Sequence, residues 1–149
     1  MLTAPRTYLA VASVQAVAAL CGSLWFSDVI GYMHCELCWW QRIFMYPLAV
    51  MLPVALFTKE KSAFLRYAVP LVCVGLAVSI FHNSLYYASM WQRLHPTATV
   101  TTCSFKGTSC TAVYIEWFGF ITIPLLALVA FSVIAASLGL YAKRLRATA

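Results

Sequence analysis

Four apolar stretches, about residues 8–26, 39–57, 67–87 and 117–141, decide what this chain can fold into. Each has about the twenty residues that an α-helix needs to cross the hydrocarbon core of a bilayer. Their hydrophobicity runs all round a helical projection, leaving no polar stripe for water. Only 9% of the 149 residues are charged and 63% are hydrophobic, whereas a soluble domain carries roughly a quarter charged residues. The expectation is an all-α integral membrane four-helix bundle, one domain over residues 1–149. Its two outward loops fall at about 27–38 and 88–116.

The net charge of +6 would suit a nucleic-acid partner if the basic residues formed a patch. They do not. Arg6 precedes the first span, Lys59, Lys61 and Arg66 separate the second from the third, and Lys143, Arg144 and Arg146 follow the fourth. Arg42, Arg93 and Lys106 fall on the other side. The positive-inside rule then puts both termini and the short middle loop in the cytoplasm. No nucleic-acid partner is expected. MLTAPR before the first span resembles a signal-peptide leader. The apolar run is long for an h-region, however, and lacks a convincing small-x-small cleavage site, so it reads as a retained span.

The six cysteines divide by this topology. Cys21 and Cys73 lie within spans, where a buried thiol behaves as a small hydrophobe. Cys35, Cys38, Cys103 and Cys110 all fall in the outward loops, on the face where disulfides can form and persist. Three readings compete for these four. A zinc clip would pair C-x-x-C with C-x6-C, wider than the usual knuckle spacing. As structural staples, rings of four and eight residues would contribute only about 2 and 2.5 kcal/mol by loop entropy. Short or exposed disulfides are more often labile and catalytic, which favours a redox relay.

The residues after Cys38 strengthen the relay. With a helix beginning near Trp39, Cys38 stands at an N-terminus, where unpaired amides and the macrodipole stabilise an anion. Arg42 follows at i+4 on the same face, and both features favour a thiolate. Arg42 can alternatively snorkel to headgroups, but a charge just inside the apolar boundary is a functional candidate. Trp39 and Trp40 suit a membrane interface and can also wall a flat ring-binding site. Gln41 and Tyr46 are further candidates for that pocket. Glu36 can raise neighbouring thiol pKa values or be a solvated turn residue, and His34 can tune Cys35 or be a plain loop residue. His82 and Asn83 form a polar pair expected to face the bundle interior. Pro47, Pro53, Pro70 and Pro124 are expected to kink or loosen their spans.

CELCWWQRIFMYPL, beginning at Cys35, together with YIEWFGFITIPLLAL (114–128) resembles the disulfide bond formation protein B family (DsbB), in its short BdbC-type branch. The resemblance covers four spans, the C-x-x-C-[aromatic]-x-x-R at the second span, a loop cysteine pair and GFITIP before the fourth span. It implies a thiol:quinone oxidoreductase of the bacterial cytoplasmic membrane with its redox loops on the outer face. Such a protein reoxidises a soluble thioredoxin-like dithiol oxidase of the DsbA or BdbD type and passes the electrons to ubiquinone or menaquinone. Carried over, Cys103 meets the partner, Cys110 is resolved through Cys35, and Cys38 faces the quinone with Arg42 assisting. Two departures stand beside this. The Cys103–Cys110 loop is shorter than in well-known members, so either cysteine can be the one that meets the partner. The quinone-contacting histidine of those members has no clean counterpart, leaving His82 and His95 as options.

Three rivals make different demands. A vitamin K epoxide reductase-like enzyme would carry its C-x-x-C late rather than early. A non-enzymatic tetraspanning protein would have loops stapled by inert disulfides and a dispensable Arg42. A proton-coupled transporter usually needs an acidic residue inside a span, but Asp28, Glu36, Glu60 and Glu116 sit in loops or at span edges.

Overall fold

The computed structural model describes residues 4–31, 35–58, 62–94, 104–105, 108–109 and 122–148. Helix α1 (Ala4–Leu24) runs into a π-helical segment, Trp25–Val29, and the chain leaves it through Gly31 at φ 78°, a backbone region that glycine enters without strain. Helices α2 (Glu36–Phe57), α3 (Leu65–Leu94) and α4 (Ile123–Thr148) follow. Between α3 and α4, the two-residue strands β1 (Ser104–Phe105) and β2 (Thr108–Ser109) pair antiparallel, Ser104 opposite Ser109. All four helices are long and apolar enough to cross a membrane. The chain is thus a multi-pass four-helix membrane protein, as its apolar stretches require.

Helix starts differ from the apolar boundaries because capping, not hydrophobicity, sets them. Helix α2 begins at Glu36, three residues before Trp39, with Cys35 in the extended conformation as its N-cap. Cys38 is therefore a first-turn residue, and the capping position belongs to Cys35. Helix α4 begins at Ile123 behind Thr122, whose Oγ1 accepts from the Leu125 N–H at 3.4 Å. Pro124 consequently falls in the first turn, where its missing N–H has no intrahelical partner to lose. The kink expected there has no cause. Pro47, Pro53 and Pro70 do lie inside α2 and α3.

Each helix packs against two neighbours, α1 on α2 and α4, and α3 on α2 and α4, which closes a four-membered ring. The shared core combines Leu9, Leu48, Leu52, Phe131, Ile134 and Leu138 with buried Ala12, Ala16, Ala68 and Ala130. Small residues at these contacts let membrane helices approach closely, since lipid tails offer no hydrophobic drive to associate. Helices α3 and α4 meet closely at Gly75, where an added Cβ would overlap the ring of fully buried Phe131. Large apolar side chains such as Val14, Val50, Phe57 and Ile80 point outward, as a lipid solvent permits. Cys21 and Cys73 are also exposed. They face the membrane rather than the bundle interior, so they are lipid-facing apolar groups and contribute nothing to the core.

Candidate functional site: a thiol pair beside a buried histidine

Where α2 and α4 begin and α1 and α3 end, the bundle interior turns polar. Gln41, Arg42, Ser79, His82, Asn83 and Thr122 are all buried there. The capping geometry positions the thiols. Cys35 lies just outside the helix, and its sulfur accepts from the Cys38 N–H at 3.4 Å, folding it back over the first turn. Its Sγ comes to 3.1 Å from the Cys38 Sγ, with the Cys35 thiol as donor. Cys35 is buried and Cys38 half-buried.

From α3, His82 brings Nε2 to 3.7 Å from the Cys35 Sγ and is itself only 1% exposed. The hydrogen bond to Cys38 and burial push the Cys35 thiol up from its ordinary 9.0 to about 12, while His82 pulls the other way. Cys35 therefore holds its proton at neutral pH and presents it to Cys38.

Arg42 does not turn to the thiols. Its Nε donates to Ser23 Oγ at 2.8 Å and its Nη2 to the Ser23 carbonyl at 2.7 Å. Ser23 lies in the last turn of α1, just before the π-helical segment, and a guanidinium that is only 8% exposed needs such acceptors. The same guanidinium lies 5.8 Å from the centroid of the Trp39 ring, within cation–π range. Trp39 is half-exposed at the bundle surface. Trp40, exposed as well, stacks on Phe44.

Gln41 points into the bundle. Its Nε2 donates to Ser79 Oγ at 3.1 Å, and that hydroxyl donates to the Gly75 carbonyl. Asn83 donates to the carbonyls of Ser79 and Pro124, both at 2.8 Å, tying α3 to the first turn of α4. Its buried Oδ1 has no hydrogen-bond partner among the described residues. Tyr46 is half-buried one turn beyond Arg42. Cys103 and Cys110, together with His34 and His95, lie outside the described residues.

The structure thus brings Cys35, Cys38 and His82 together and sends Arg42 to a neighbouring position with Trp39. Ser23 and Ser79 were not singled out from sequence. A serine near the end of one span, at the depth of an arginine opening the next, was the available signal for Ser23.

A protein with this fold and site is a membrane protein carrying a dithiol beside a buried imidazole at one end of its bundle. The comparisons give that class a family. The model for "Disulfide bond formation protein DsbB" matches residues 5–141, and the chain belongs to that family. It is 39% identical over 127 residues to the "Disulfide bond formation protein C" of Bacillus subtilis (strain 168), covering 85% of this chain and 86% of that one. It is 41% identical over 124 residues to a "Probable disulfide formation protein" of Oceanobacillus iheyensis, covering 81% and 79%. A "Probable disulfide formation protein C" of Halalkalibacterium halodurans is 39% identical over 121 residues, covering 81% and 82%. No solved structure matches the chain.

Proposed function

We propose that this chain is a membrane thiol:quinone oxidoreductase. It takes two electrons from a soluble thioredoxin-like dithiol oxidase through Cys103 and Cys110, passes them to Cys35 and Cys38, and delivers them to a quinone in the bilayer. On this reading it sits in a bacterial cytoplasmic membrane with both termini inside and the thiol end of the bundle on the outer face. The observation that carries the proposal is the dithiol at the first turn of α2, with a buried imidazole on one side and a fixed cation over an aromatic ring one turn away.

The residues fit a flat, lipid-borne dicarbonyl ring. The Arg42 guanidinium is held by Ser23, and the half-exposed Trp39 ring lies 5.8 Å from it, in the same turn of α2 as half-buried Cys38. When bound, the quinone supplies a two-electron, two-proton acceptor.

The protein's own part follows from its geometry. Forming the Cys35–Cys38 disulfide releases two electrons and two protons. The Cys35 proton is held tightly by the Cys38 contact and then by burial, so its removal needs a base. His82 Nε2, 3.7 Å from that sulfur, is placed to take it when the other ring nitrogen carries the imidazole proton. Reduction of this disulfide by the Cys103–Cys110 pair then resets the site.

The test is turnover of the purified protein with a reduced thioredoxin-like oxidase and a soluble quinone analogue, followed by quinone absorbance. Quinone reduction that disappears in Cys38→Ser is expected. Absent turnover in the wild type, or turnover that survives this substitution, removes the relay.

A further inference from the structure

We propose that Cys35, Cys38 and His82 form a binding site for a soft divalent cation of the zinc and cadmium class, available only while the two thiols are reduced. Sequence spacing argued against a clip built from all four loop cysteines, because the second pair is too widely spaced. The fold supplies a different third ligand. His82 comes from α3, 47 residues beyond Cys35 in sequence. Among the described residues this is the group whose three donor atoms lie within 4.8 Å of one another.

The distances suit the ion. Tetrahedral zinc bonds of about 2.3 Å to sulfur and about 2.0–2.1 Å to nitrogen imply edges of about 3.8 Å between sulfurs and about 3.6 Å from sulfur to nitrogen. The Cys35 sulfur stands 3.7 Å from the His82 nitrogen and 3.1 Å from the Cys38 sulfur. The sulfur–sulfur edge has to open, and the Cys38 sulfur lies within 4.8 Å of the imidazole nitrogen that completes the set. Three protein ligands leave the fourth position for water or an added thiol, the pattern of an open zinc site.

Charge also suits the setting. Two thiolates, a neutral imidazole and a divalent cation sum to zero, which avoids burying a net charge in a membrane bundle. Binding replaces each S–H bond with a sulfur–metal bond and releases two protons, and no electrons move. Oxidation removes the site, since joining the two sulfurs consumes both thiolate ligands. A bound cation conversely prevents the disulfide from forming, so it would arrest the protein in its reduced state.

The test titrates cadmium alone into the full chain in detergent, in a background with Cys21, Cys73, Cys103 and Cys110 replaced by Ser. Reduced protein should bind one ion per chain, with the ultraviolet absorption of a cadmium–thiolate bond. Oxidised protein should bind none. His82→Ala should weaken binding by roughly tenfold or more, and His82→Gln, which keeps most of the side-chain volume, should do the same. Circular dichroism establishes that each variant remains helical. No binding by reduced, helical protein overturns the site, as does equal binding by oxidised protein. Unchanged affinity in both His82 variants does so too, because two adjacent thiols alone would then account for it. The titration needs neither quinone nor partner, so its failure is distinguishable from failure of the electron relay, which is assayed with metal chelated.

Discussion

The two ends of this bundle are built by opposite rules. At the end where α2 meets α3, Phe64, Ala68, Val72, Leu138 and Tyr141 are buried, and the rings of Phe64 and Tyr141 meet 5.7 Å apart. Most of these side chains are apolar and contribute by filling volume. At the thiol end, Gln41, Arg42, Ser79, His82 and Asn83 replace apolar packing with directed hydrogen bonds. Buried polar groups are costly unless paired, and in lipid there is no water to pair them. The apolar end is thus held by packing volume, while the thiol end is held by hydrogen bonds with strict geometric demands.

That division can be broken by experiment. The largest expected effect is at the thiols: Cys38→Ala should abolish quinone reduction while leaving thermal unfolding of the detergent-solubilised protein nearly unchanged. If unfolding shifts strongly as well, the thiol end is also structural and the contrast fails. Phe131→Ala should do the reverse. It vacates a fully buried site in contact with Gly75 and should cost about 3–5 kcal/mol, as core Phe truncations do. Turnover at a temperature where the variant is folded should fall by less than a factor of two or so.

A smaller effect is expected at Arg42. Arg42→Ala should raise the apparent quinone KM about tenfold, equivalent to about 1.4 kcal/mol. Ser23→Ala, which removes one of the two acceptors that fix the guanidinium, should raise it only a fewfold. A KM unchanged in Arg42→Ala would make the arginine a purely structural tie between α1 and α2.

The finest test is titration of Cys35. Its pKa of about 12 lies above the ordinary 9.0, chiefly through the Cys38 contact and then burial. Below pH 9.0 the thiol is protonated in folded and unfolded chains alike. Between 9.0 and about 12 only the unfolded chain releases the proton, so this group makes stability fall as pH rises through that window. Removing the contact in Cys38→Ala should move the alkylation profile of Cys35 to lower pH, read by mass spectrometry. An unmoved profile would mean that Cys38 does not hold the Cys35 proton.

How much of this was legible before folding differs by residue. The apolar stretches determined four spans, because a backbone in lipid must satisfy its own hydrogen bonds and helices of this length do so. The composition of CELCWWQR and its place at a span boundary singled out the thiols and the arginine as candidates. Side-chain direction was not legible. Cys38 and Arg42 at i, i+4 suggested a pair, yet a long buried guanidinium goes to the strongest nearby acceptors, and these were on α1.

Gln41 had the same limit. Its neighbour Ser79 is 38 residues away, and no local pattern specifies which helix an amide will face. His82 is the sharpest case. From sequence it was one polar residue in an apolar helix, a candidate for quinone contact. Its approach to Cys35 depends on how α3 is rotated against α2 and on Cys35 capping its helix. Local sequence determined which residues could do chemistry and where the membrane lies, since those follow from side-chain type and apolar length. Only the packing of four helices decided which of them touch, because contact depends on rotation and depth that no single span encodes.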